Sequence, residues 1–97
     1  MSEGVVYPLV ISLIVVGVLK NKTNKYRFKK RVELSFVPAD IKNIRIGDKL
    51  VEVVHMGFNA ESREFEACLD NVVVKEDIEL LQTYSEFLNK NGWEEVS

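Results

Sequence analysis

The chain is poor in the residues that most often carry chemistry. Its 97 residues include one cysteine, Cys68, one histidine, His55, and one tryptophan, Trp93. A single cysteine excludes an internal disulfide and leaves too few thiols for a zinc ribbon. That fits a reducing compartment, and a cytoplasmic location is expected. No Walker motif, dinucleotide fingerprint, HExxH pair or calcium loop is present, so no cofactor and no small-molecule substrate is implied. No apolar run reaches the about 20 residues that span a bilayer as a helix. The longest, residues 5–19, is 15 residues long and contains Pro8, Ser12 and Gly17, so a membrane anchor is not expected. The first four residues carry no basic side chain, so a secretory signal is not expected either.

What remains has the balance of an ordinary globular domain, with 46% hydrophobic and 29% charged residues. The length suits one domain over residues 1–97, with one core and little room for a deep cleft. The most apolar stretch is LVISLIVVGVL, residues 9–19. Its β-branched residues and glycine argue against a helix and for a strand buried on both faces. A second strand is expected over residues 25–37, where even positions other than Lys30 are apolar (Tyr26, Phe28, Val32, Leu34, Phe36) and odd positions through Glu33 are charged. A four-residue loop, residues 21–24, would join the two and place Lys20 opposite Lys25.

That pairing sorts the hairpin into two faces. Leu9, Ile11, Leu13, Val15, Gly17 and Leu19 share the core face with the apolar residues of the second strand, and Lys30 is its only misfit. Such a lysine must reach the rim or find a partner. The other face sets Val10, Ile14, Val16 and Val18 beside Arg27, Lys29 and Arg31. A sheet with one solvated face alternates apolar and polar residues there. This one does not, so the strip is expected to be covered by a helix, a second sheet, a protein partner or a homodimer mate.

Further along, residues 38–43 read as a turn, residues 44–46 as a short extended piece and Gly47-Asp48 as a turn. A second hairpin is expected from strands over 50–58 and 63–69, with Phe58 opposite Arg63. Its core face would hold Leu50, Val54, Met56 and Phe58 with Phe65, Ala67 and Leu69. Val51, Val53, His55 and Gly57 would lie on the other face. Asp70-Asn71 is a turn signal before the apolar triplet at 72–74. A helix should follow from Glu76-Asp77, whose acids suit a helix start. Ile78, Leu81, Tyr84 and Leu88 form its apolar stripe, and Asn91-Gly92 stops it with Trp93 folded back. The expected fold is therefore α+β: an antiparallel sheet or partly open small barrel of two hairpins, four to five strands, with one C-terminal helix.

Three groups of residues are candidates for function. The first is the apolar strip Val10, Ile14, Val16 and Val18, which points to a small non-enzymatic protein-interaction or assembly module that self-associates through a sheet face. The second is the basic hairpin. Residues 20–31 hold seven basic residues and no acid, which leaves six basic against fifteen acidic residues elsewhere. Lys22, Lys25, Arg27, Lys29 and Arg31 are the residues that would bind nucleic acid in the alternative reading, since phosphate recognition needs several cations on one face. Tyr26 and Phe28 point to the core in this register and are not free to stack on bases. The ordinary reading is a solvated hairpin tip or the complement of the acidic remainder of the chain, and a third is an acidic protein partner. The third group is His55, Glu66 and Cys68. The register puts His55 opposite Glu66 with Cys68 on the diagonal, the residue types of a cysteine nucleophile or soft metal site. Their place at strand centres, with no further His or Cys, favours an ordinary cross-strand pair.

Overall fold

The computed structural model of the chain describes residues 5–96. In order, β1 (Tyr7–Leu19) and β2 (Lys22–Leu34) form a long hairpin, and a 3-10 turn (Pro38–Asp40) leads into β3 (Asn43–Ile46) and β4 (Lys49–Asn59). β5 (Glu64–Leu69), β6 (Val72–Lys75), α1 (Ile78–Lys90) and β7 (Glu94–Val96) complete the chain. The fold is α+β with one C-terminal helix, as the periodicities indicate. Among the described residues the strands number seven rather than four or five, and the sheet is mixed and does not close. Its order is β3-β4-β5-β1-β2-β7, with β6 also on β1.

β1 is the centre of this sheet. It pairs antiparallel with all of β2 on one side. On the other side it pairs in parallel first with β5 (Leu9 to Phe65, Ser12 to Cys68) and then with β6 (Val15 to Val72, Val18 to Lys75). Asp70-Asn71 is therefore a jog within one interrupted strand and does not reverse the chain. Strand-rich neighbours on both sides explain why β1 carries apolar residues at nearly every position.

The first hairpin turns more tightly than the four-residue loop expected from its asparagines. Leu19 pairs with Lys22, so only Lys20 and Asn21 form the turn. Both have left-handed backbones, φ 46° and 65°, which is the two-residue turn whose twist matches that of the strands. Lys20 is an unusual residue there. Its amide donates to the carboxylate of Glu76 at 3.2 Å, a partner 56 residues away. Every pairing consequently moves by four residues, so Leu13 faces Phe28 and Ile11 faces Lys30. Four is an even shift, and the division of side chains between faces survives it.

The second hairpin differs more. Its register moves by two, with Phe58 opposite Phe65, and a bulge lies between Val53 and His55. One extra residue reverses the alternation. Leu50 and Val54, expected in the core, are 61% and 59% exposed, while Val51 is buried and Val53 half-buried against the core. Phe58 keeps its expected face but lies beyond the covering elements and is largely exposed.

The core sits on the inner face of β1. Leu9, Leu13, Val15 and Phe28 are at most 1% exposed, packed with Ala67, Leu69, Ile46 and Val51 from the second hairpin and Leu81, Leu88 and Trp93 from the helical end. Asp77 caps α1 by accepting from the Leu80 amide at 2.9 Å. At the other end Gly92 has φ 86°, and the Trp93 amide donates to the Leu88 carbonyl at 3.0 Å, the hydrogen bond of a Schellman stop. Gly17 allows the close approach of α1 to β1: a β-carbon there would lie 2.8 Å from Leu81 Cδ2. Lys30, the misfit on this face, donates its Nζ to the Asn91 carbonyl at 2.7 Å. The cation thus meets the negative end of the helix dipole.

Candidate functional site

With α1 on the inner face, no element among the described residues lies over the outer one. Its central row is Val10, Ser12, Ile14, Val16 and Val18 of β1. Val16 is buried and the others are half-buried. Val73 of β6 pairs with Val16 and is 50% exposed, which widens the strip beyond the four residues found from the sequence. Beside Ile14 a shallow recess of about 270 Å³ is lined by Ser12, Arg27, Lys29 and Val96.

The pairing places charges of opposite sign on the two sides of this strip. On β2, Lys25, Arg27, Lys29 and Arg31 lie level with Val16, Ile14, Ser12 and Val10, and all four are exposed. Lys22 separates from them, because it pairs with Leu19 of the inner-face row at the hairpin tip. On β5, Glu66 lies level with Val10, and Glu64 precedes it on the same face. Asp70 and Glu52 share a recess with Val73 and Lys49, and Lys75 stands level with Val18 at the far end of this side. One pair crosses the strip: Arg31 Nε donates to Glu64 Oε2 at 2.6 Å. That hydrogen bond raises the pKa of Arg31 and holds the Glu64 carboxyl below its ordinary value. On the far side of β2, Glu94 of β7 stands opposite Lys29.

The nucleic-acid candidates are therefore brought together in part. Four of the five form one row, but Arg31 already has a carboxylate and Lys29 faces one. Phe28 is buried and Tyr26 half-buried on the other side of the sheet.

His55, Glu66 and Cys68 all reach the outer face, in a different arrangement from the one expected. The two-residue register shift sets His55 opposite Cys68, while Glu66 faces Gly57. Glu66 Oε2 accepts from Asn59 Nδ2 at 3.4 Å, and no hydrogen bond joins it to His55 among the described residues. No group of three His, Cys, Asp or Glu side chains is placed to hold a metal ion among the described residues.

A groove of about 660 Å³ between the Gly47-Asp48 turn and α1 was not foreseen from the sequence. Ile46, Leu80 and Phe87 make its walls largely apolar. The Tyr84 hydroxyl beside it is buried without a hydrogen-bond partner. Burial, and then the Asp48 carboxylate, push its pKa up, so it stays a neutral phenol. Asp48, Lys49 and Thr83 are the other polar residues of its lining, and Lys49 Nζ lies 6.0 Å from the centroid of the Tyr84 ring. No helix among the described residues is long and apolar enough to cross a membrane. The chain was compared with protein-family models, with curated proteins and with solved structures, and nothing matched.

Proposed function

We propose that this chain is a small non-enzymatic interaction or assembly module that self-associates through the outer face of its sheet. The observation that carries this reading is the apolar row of β1, extended by Val73, on the face that α1 leaves open. Monomers seldom leave a contiguous apolar strip uncovered. Each of these side chains is worth about 1.5–3 kcal/mol when fully buried. Val16 is already buried and Val10, Ile14 and Val18 are half-buried, so what remains to be gained is on the order of 3 kcal/mol for the five residues. Micromolar association needs about 8 kcal/mol net, after the entropy of association is offset. The strip therefore supplies adhesion, and the charged rows beside it must supply the remainder and the selectivity.

The test is light scattering behind size exclusion. The wild type should run at twice 11.1 kDa. Ile14→Lys should run as a monomer with an unchanged circular dichroism spectrum, because Ile14 points away from the core. A wild type that stays monomeric up to about 100 μM, where even weak pairs form, overturns the reading. The same samples titrated with labelled oligonucleotide decide the rival. Binding that weakens with salt and is lost in Arg27→Glu with Lys29→Glu would move the function to nucleic acid.

A further inference from the structure

We propose that the occupant of the outer face is a second copy placed about a two-fold axis running along β1, so that the β1 strands of the two copies run parallel. This rests on the self-association reading above and names its geometry. Two sheets that meet face to face keep their strands within about 30° of each other, or cross near 90°. For a symmetric aligned pair the axis lies between the sheets, either along β1 or across it.

The two choices differ in what meets what. An axis along β1 exchanges left and right. The cation row of β2 then lies over the carboxylate side of the partner copy, and the carboxylates lie over the partner's cations. Arg31 and Glu66 are both level with Val10, so each Arg31 meets the partner's Glu66, twice per pair. An axis across β1 keeps left and right and reverses the ends. With its centre at Ile14, Arg27 lies over its own copy and Lys29 over Lys25, the three residues being consecutive on one row. That arrangement stacks like charges, with only Glu66 against Lys75 to oppose them. An orthogonal crossing brings the rows together at single points and leaves most of the strip uncovered.

The along-strand axis has one unfavourable contact. Glu33 of β2 pairs with Pro8, at the level of Glu64. Arg31 neutralises Glu64 there through its 2.6 Å hydrogen bond, and the contact lies past the end of the apolar strip. Sheets pack about 10 Å apart, a gap that an arginine and a glutamate span together at the rim. The central row is Val10, Ser12, Ile14 and Val16, each against its own copy, which is the isologous contact of a closed dimer. The face is thus complementary to itself in one orientation, which is the argument for a second copy over an unrelated partner.

A mixing experiment tests this. One variant carries Lys29→Glu with Arg31→Glu, the other Glu64→Lys with Glu66→Lys. Each alone should dissociate, its dissociation constant rising at least about tenfold, the scale of close interfacial charge pairs. An equal mixture should recover the wild-type constant as a heterodimer, because each reversed row then meets its opposite. Retention or tightening of the Lys29→Glu, Arg31→Glu homodimer would overturn the axis while leaving self-association intact. A monomeric wild type would remove both. Where a reversed variant loses its circular dichroism, spin labels decide, placed by Lys22→Cys in a Cys68→Ser chain. The proposed axis puts both labels at one end, separated by little more than the about 10 Å sheet spacing and the label arms. An axis across β1 centred at Ile14 would set the labels ten residues apart along the strands, about 33 Å at about 3.3 Å per residue, and a separation of that size would overturn the proposed axis.

Discussion

The two faces of β1 carry apolar side chains in nearly equal number and meet different surroundings. On the inner face Leu9, Ile11, Leu13 and Val15 are at most 4% exposed, sealed by α1 and the second hairpin. On the outer face Val16 is buried but Val10, Ile14 and Val18 keep part of their surface in water. The difference does not lie in β1, whose residues are β-branched or aliphatic on both sides. It lies in what flanks each row. The inner row is bordered by Tyr26, Phe28 and Val32 on β2 and by Phe65 and Ala67 on β5, so apolar neighbours continue the surface and a second layer can close over it. The outer row is bordered by lysine, arginine and glutamate. Their stems cover part of the strip and their heads remain in water. A face built this way cannot take an internal helix without desolvating those charges, but it can meet a surface of matching charge.

Substitution on alternate residues should expose this contrast most sharply. Phe28→Ala removes a ring that is 1% exposed. It should destabilise the fold by about 3–5 kcal/mol, a large part of the 5–15 kcal/mol typical of a domain. Arg27→Ala, one residue earlier and on the outer face, should stay within about 0.5 kcal/mol. Urea denaturation of the two variants under identical conditions makes the comparison. Equal losses would show that the outer face is as tightly built as the inner one.

A smaller effect is expected at Gly17. A larger side chain there meets Leu81, and Gly17→Val should cost about 1–3 kcal/mol through overpacking. Val18→Thr, the neighbouring change on the outer face, should be nearly silent. Thermal melts should therefore separate the pair, with α1 loosening only in the first. Lys30→Met sharpens the comparison from the other direction. It makes the inner face uniformly apolar but removes the hydrogen bond to the Asn91 carbonyl. The expected loss is about 1 kcal/mol, and a variant more stable than the wild type would show that the lysine is a tolerated defect rather than a helix cap.

The contrast between faces was largely legible in the sequence, because parity survives an even shift of register. Residues 10, 14, 16 and 18 fall on one side of the sheet whether the turn has two residues or four. The stop at Asn91-Gly92 was legible for a similar reason, since it is written in neighbouring residues. What escaped was non-local. The Lys20 amide of the tight turn meets Glu76, 56 residues away, and nothing near Lys20 announces it. The bulge at Val54 reversed Leu50 and Val51 because a strand of valines pairs equally well in either phase. The acidic half of the candidate surface was invisible because β5 comes to β1 in parallel, through a long connection. Glu64 and Glu66 therefore read as a hairpin's outer residues rather than as the far bank of the apolar strip. β7, three exposed residues whose pairing follows from where the helix ends, left no periodicity to find.

The smallest expected effect lies in the Arg31–Glu64 ion pair that bridges the strip. Arg31 and Glu64 are 57% and 21% exposed in their side chains, and exposed pairs contribute little to stability because solvent and salt screen them. Their signature should appear in titration. The hydrogen bond from Arg31 lowers the Glu64 pKa, with a lesser one from Ser62 acting in the same direction. A carboxyl whose folded pKa lies below its unfolded value adds stability above the unfolded value and loses it as pH falls through the folded one. The monomeric protein should therefore become slightly less stable on acidification across the carboxylate range. Arg31→Gln should raise the Glu64 midpoint, followed by carboxyl NMR, and flatten that part of the pH profile. In the proposed dimer Glu33 of the second copy stands at the level of Glu64, and a like charge disfavours ionisation, so the wild-type Glu64 midpoint should rise as protein concentration rises. A midpoint indifferent to concentration in a protein that does dimerise would place the contact elsewhere, away from the rows of β2 and β5.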